Sequence, residues 1–274
     1  MRSKIFITIF AMSCLTACGQ QAEKQDSVET KNITIENKMK IEIWSDIMCP
    51  FCYIGKRNFE AALSQFANKE QVDVEWKSFQ LDPTIPEVPK YQDNMYMFVA
   101  DRKGFSYEQS KKMHQDLIQY AKSVGLEYNF DKALVTNSLK GHRLIQFAKT
   151  KGLGEKAEER LFYAYFTQGK NLSDVATLIK LGKEISLTET EVNEALTNSL
   201  YVQKVESDSK EAQTLGARGV PFFVINRKYA IAGAQQPNEI LKTLEKAFSE
   251  WQKENPNALE IQDGQVCEPN GNCK

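Results

Sequence analysis

The chain has 274 residues, 42% hydrophobic and 26% charged, enough to bury a substantial core as one large domain or a domain with an insertion. Its formal net charge of −1 leaves no basic excess for neutralising phosphates, which argues against a nucleic-acid partner. Chemistry is therefore sought in the placement of its six cysteines and two histidines.

In chain order, Arg2 and Lys4 precede an apolar stretch from Ile5 to Leu15, shorter than the roughly 20 residues of a membrane-spanning helix. The pattern predicts an export signal over residues 1–17. Its end, Leu15-Thr16-Ala17-Cys18, resembles the lipobox of bacterial lipoproteins. That resemblance implies cleavage before Cys18 and lipidation of its sulfur, hence a protein held at the bacterial cell envelope and facing the periplasm. Residues 18–39 are polar and read as a tether.

A strand is predicted over residues 40–46, a helix over about 52–67 and a second strand over Val72 to Gln80. A loop marked by Pro83, Pro86 and Pro89 follows. From Asn94 onward the pattern is helical, with helices predicted over Tyr107 to Val124, Ser138 to Lys151, Glu155 to Thr167 and Glu189 to Thr197. The last is introduced by Thr188 with Glu191 three residues on, a capping-box pattern. Strand character returns over Pro221 to Asn226 and Tyr229 to Ala232, and an amphipathic helix is predicted from Pro237 to Trp251. This order predicts an α/β fold: a thioredoxin-like domain over residues 40–252 carrying a large helical insertion at about 94–200, then a tail over 253–274.

The strongest chemical signal is Cys49-Pro50-Phe51-Cys52 at the strand-to-helix junction. Two thiols one helical turn apart can be bridged and reopened, and the unpaired N–H groups of a helix start stabilise a thiolate. A purely structural bridge across so short a loop would remove little unfolded-state entropy, which favours redox use. Cys49, at the helix start, is expected to carry the more exposed sulfur and to act as nucleophile. Cys52 is expected to resolve the mixed disulfide. Pro50 suits a first helical turn. Cys267 and Cys273 form a second close pair around a Pro269-Asn270-Gly271 turn, which predicts a local disulfide.

Ser45-Asp46-Ile47-Met48-Cys49-Pro50-Phe51-Cys52-Tyr53-Ile54-Gly55-Lys56 resembles the DsbA-like thioredoxin superfamily, and within it the FrnE-type branch. Phe79-Gln80-Leu81-Asp82-Pro83, Asn137-Ser138 with Gly141-His142-Arg143-Leu144, Gly219-Val220-Pro221-Phe222-Phe223 and Gly233-Ala234-Gln235 agree in order. The resemblance implies a thiol:disulfide oxidoreductase with a cis Val220–Pro221 bond against the reactive cysteine. It also implies that a substrate peptide lies along Pro50, Phe51 and the backbone at Val220. Phe51 stands where the type enzyme of the family has a histidine, which implies a less oxidising couple. His142, in the insertion, is a candidate for orienting substrate or tuning a thiol. Lys56 and Arg57 could add positive potential beyond Cys52, although charges on such a helix are usually a solvated face. His114 lies in none of the matched segments. Some FrnE-type relatives carry a C-terminal cysteine pair, so Cys267 and Cys273 are a candidate auxiliary redox pair, with a simple terminal staple as the alternative.

The function expected is disulfide exchange with exported proteins and a redox partner protein, without metal or nucleotide. The alternative is a glutathione-dependent transferase or isomerase of small molecules, which the resemblance places on the same fold but with serine at the Cys49 position. A metal module built from the four remaining cysteines is disfavoured by the absence of a histidine partner.

Overall fold

The computed structural model describes residues 37–86 and 88–256. The expected signal, Cys18, residues 18–36 of the tether and the Cys267/Cys273 pair lie outside the described residues.

The chain opens with β1 (Met39–Ser45), α1 (Pro50–Gln65) and β2 (Val72–Ser78). Seven helices follow: α2 (Met95–Lys103), α3 (Tyr107–Ser123), α4 (Leu139–Lys149), α5 (Gly154–Phe166), α6 (Val175–Glu184), α7 (Glu189–Thr197) and α8 (Ser199–Thr214). A hairpin of β3 (Phe222–Ile225) and β4 (Tyr229–Ala232) and a final helix α9 (Pro237–Glu254) complete the described residues. The sheet order is β2-β1-β3-β4, with β1 parallel to β2 and both other pairings antiparallel. This is the expected thioredoxin-like architecture. α1 begins two residues earlier than predicted because Pro50, which needs no N–H partner, occupies its first turn behind Cys49. The Thr188/Glu191 capping box is formed.

Strand alternation divides the core. Ile41, Ile43, Phe223 and Ile225 pack on one face against Phe59 of α1 and Ile240, Leu244 and Phe248 of α9. Trp44, Phe222 and Val224 pack on the other against Ala212 of α8. The Trp44 indole N–H donates to the Asp208 carbonyl of α8 at 2.7 Å, so this large ring is buried with its polar edge satisfied. α8 thus covers the sheet. α2–α7 build the insertion around a core that extends to Ile47, Cys52, Tyr53 and Ile54.

The matched Gly141 explains how the insertion reaches the segment before α1. A Cβ there would overlap Cδ1 of the fully buried Ile47, so only glycine lets α4 approach this closely. Alanine normally stabilises a helix over glycine by about 1 kcal/mol. Here overpacking, at about 1–3 kcal/mol, is expected to win. Gly141→Ala is expected to lower stability in urea unfolding, and adding Ile47→Val, which removes the obstructing methyl, to restore part of the loss.

Candidate active site

A turn closed by the Cys49 N–H to the Asp46 carbonyl, at 2.9 Å, delivers the chain from β1 to α1. Cys49 caps α1 and the Cys52 N–H returns to the Cys49 carbonyl at 3.0 Å, placing the cysteines one turn apart. Both thiols are free. Cys52 is fully buried, whereas Cys49 is 5% exposed. Cys49 is therefore the less covered residue of the pair, but it is buried rather than open as the sequence suggested. The Val220 carbonyl lies 3.5 Å from its Sγ and helps to cover it.

The Val220–Pro221 bond is cis, as the resemblance implied. Pro221 abuts α1 at Gly55, where an added Cβ would sit 2.8 Å from Pro221 Cγ. The Gly233 N–H binds the Pro221 carbonyl at 2.8 Å, and the Asn58 amide binds the Gln235 carbonyl at 2.9 Å. Three of the matched segments thus lock one another in place. Phe51 is 44% exposed and stands beside the half-buried Pro50.

Beneath the cysteines lies Asp46, 2% exposed. Its carboxylate accepts from the Met48 N–H at 3.1 Å, the Leu81 N–H at 2.7 Å and His142 Nε2 at 3.2 Å. Its own N–H lies 3.5 Å from Cys52 Sγ. Burial, then the neighbouring Cys49, push the Cys52 thiol well above its ordinary value; the Asp46 N–H pulls the other way, and the Asp46 charge adds a smaller rise. Sequence reasoning quoted Asp46 without giving it a role. Its signal was a carboxylate three residues before Cys49, flanked by apolar Ile43, Trp44, Ile47 and Met48.

His142 is 1% exposed. The structure does not place it to touch a substrate; it bears on the cysteines through Asp46, and its Nδ1 has no partner among the described residues. Lys56 is also not on a solvated face: it is 2% exposed and paired with Glu60, Glu155 and Glu159. Arg57 binds Glu60 and Glu159 as well, so α5 carboxylates offset the positive potential expected beyond Cys52.

Residues 40–245 match the DSBA-like thioredoxin domain family. The chain is 29% identical over 220 residues to the Uncharacterized protein YwbO of Bacillus subtilis (strain 168), covering 78% of this chain and 97% of that protein. The crystal structure of a probable DsbA oxidoreductase from Streptomyces coelicolor is 32% identical, with a TM-score of 0.74 over 86% of this chain and 98% of that one. The cytosolic disulfide reductase DsbM from Pseudomonas aeruginosa shares the fold, with 16% identity and a TM-score of 0.53 over 80% of this chain and 100% of that one. The chain belongs to the DSBA-like thioredoxin domain family. Its enzyme class is that of the DsbA-like thiol:disulfide oxidoreductases.

Close to this site, α5 buries Glu158, and burial pushes its carboxyl up to about 8 against the pull of Lys56 and Lys149. A carboxyl raised in the folded state favours folding below its unfolded value of 4.5, and that contribution is lost as pH rises through about 8. Glu158→Gln keeps the neutral shape. It is expected to match the parent near pH 4.5 and to gain on it progressively up to pH 9, by on the order of 2–5 kcal/mol, in urea unfolding.

Proposed function

We propose that the chain exchanges disulfides with exported polypeptides through Cys49 and Cys52, from a lipid anchor at Cys18 that holds it at the bacterial envelope facing the periplasm. The observation that supports this most is the inequality of two free thiols at one helix start. One caps the helix at the Val220 carbonyl; the other is fully buried and its thiol form is favoured. A glutathione-dependent small-molecule reaction would not require the second sulfur.

Cys49 thiolate attacks a substrate disulfide, forming one S–S bond as another breaks, and the departing sulfur leaves as a thiolate that takes up a proton. Cys52 then loses its proton and attacks Cys49 Sγ, displacing the second substrate thiolate, which is protonated in turn. Two electrons have passed from the protein to the substrate. The same steps reversed oxidise a substrate dithiol. A redox partner protein resets the pair by the same exchange, and no metal or nucleotide enters. Burial of Cys52 makes this order productive, because its protonated form does not compete for the incoming disulfide. Pro50, Phe51 and the Val220 backbone form the surface on which an extended substrate lies. Cys267 and Cys273 are proposed to pass electrons to or from this couple, since the ~15 residues after the last helix could reach about 50 Å when extended. Trapping a Cys49–Cys267 or Cys49–Cys273 linkage tests that relay.

Cys49→Ser is expected to abolish reduction of a polypeptide disulfide such as that of insulin, a loss of at least about a thousandfold. Cys52→Ala is expected to accumulate mixed disulfides with polypeptides through Cys49, visible on non-reducing gels; turnover without such adducts would contradict the roles assigned. For the anchor, Cys18→Ser is expected to move the protein from the membrane to the soluble fraction with unchanged insulin reduction. Retention of that variant on membranes in high salt would remove the lipid from the account.

A further inference from the structure

In the exchange described above, the second step is the demanding one for this fold. Cys52 must give up its proton and carry negative charge while fully buried, and burial opposes that charge. One contact favours it: the Asp46 N–H, 3.5 Å from Cys52 Sγ. The carboxylate of the same residue opposes it. How far the Asp46 charge is drawn into hydrogen bonds of its own therefore bears on how readily Cys52 ionises.

The Met48 N–H binds Oδ1 at 3.1 Å and the Leu81 N–H binds Oδ2 at 2.7 Å, so both carboxylate oxygens accept from backbone. His142 supplies a side-chain donor, with Nε2 at 3.2 Å from Oδ1. Because both oxygens already accept, Asp46 is the acceptor here too and the imidazole proton sits on Nε2. Nδ1 has no acceptor among the described residues, so nothing holds a second proton there. The ring is set in place by α4, since His142 follows Gly141, which closes on Ile47, and its own N–H binds the Ser138 carbonyl at 2.9 Å. The other titratable groups about these residues are Tyr165, which faces Asp46, and Tyr128, which faces both cysteines. Burial raises both phenols well above their ordinary value, so neither adds charge near neutral pH.

We propose that His142 is a positioning residue for the resolving step: its Nε2–H draws on the Asp46 carboxylate charge that would otherwise oppose Cys52, and keeps Asp46 seated with its N–H on the Cys52 sulfur, so that Cys52 attacks Cys49 promptly once a mixed disulfide has formed. The imidazole has no hydrogen bond to either sulfur among the described residues and acts through Asp46. Cys49 is held by contacts that do not involve His142: its N–H on the Asp46 carbonyl and its Sγ against the Val220 carbonyl. The first attack therefore does not depend on the imidazole, and the second does.

The inference rests on the roles given above to Cys49 and Cys52 but not on a polypeptide substrate, so glutathione disulfide serves as the probe. The reduced full chain is mixed with it at neutral pH, quenched in acid and mapped by peptide mass spectrometry. Attack by Cys49 breaks the glutathione disulfide, forms a Cys49–glutathione bond and releases one glutathione thiolate, which is protonated. Cys52 then gives its proton to water, forms the Cys49–Cys52 bond and displaces the second glutathione, which takes up a proton. The two electrons lost by the protein dithiol reduce one glutathione disulfide to two thiols. Rise of the Cys49 adduct reads the first step and its decay the second. Glutamine at position 142 places an amide N–H where the imidazole Nε2–H stands, whereas asparagine falls one carbon short. His142→Asn is expected to slow decay by about tenfold with the rise unchanged within about twofold, and His142→Gln to keep decay within about threefold of the parent. In an Asp46→Asn background, where no carboxylate charge is left to offset, His142→Asn is expected to have no further effect on decay. Equal decay in the parent and His142→Asn, equal slowing by both substitutions, or slowing of both steps alike would overturn the proposal. The parent protein gives a check that needs no variant: imidazole proton–nitrogen NMR is expected to show the proton on Nε2 and a bare Nδ1, and the opposite tautomer would also overturn it. An adduct on Cys52 in the parent would contradict the cysteine roles themselves, and this inference with them.

Discussion

The buried carboxylate of Asp46 is the constraint on which the rest of the site depends. Inside a protein a charge must be paired or hydrogen-bonded, and leaving one unpaired costs several kcal/mol. Asp46 meets this with three donors from three places: the turn before α1, the chain leaving β2, and α4 of the insertion. Bonds to a charged acceptor are worth about 1.5–3 kcal/mol each, so together they fix the β1–α1 turn far more firmly than a neutral side chain could. The Asp46 N–H beside Cys52 Sγ then links the insertion to the inner cysteine through one residue.

Two close approaches complete the scaffold. Gly55 lets α1 meet Pro221, and Gly141 lets α4 meet Ile47. The first sets the helix that presents Cys49 against the Val220 carbonyl, and the second sets the helix that presents His142 to Asp46. The cysteines therefore differ in surroundings although they share a turn: Cys49 lies against the Val220 carbonyl just before β3, and Cys52 faces the Asp46 backbone and the insertion core.

The main lines of the fold could be read from the sequence because they rest on local physics. The strand-favouring run Ile41–Trp44, the Pro50 helix start and the Thr188/Glu191 box each need only neighbouring residues. The reactive pair was legible for the same reason, since the spacing of Cys49 and Cys52 is itself local. What escaped depends on contacts far along the chain. Lys56 looked like a surface charge because Glu155 and Glu159, which neutralise it, lie about a hundred residues away. His142 looked like a possible substrate contact, whereas its partner is Asp46, 96 residues earlier.

The central claim is that the fold makes the two thiols chemically unequal, with Cys49 reactive and Cys52 held protonated by burial and by the neighbouring Cys49. The most direct measurement is alkylation of the fully reduced protein with iodoacetamide from pH 5 to pH 9, with the modified thiol identified by peptide mass spectrometry. The account predicts that Cys49 is modified first throughout, and that Cys52 reacts only at high pH or after unfolding. Modification of Cys52 before Cys49 at pH 5–6 would contradict it.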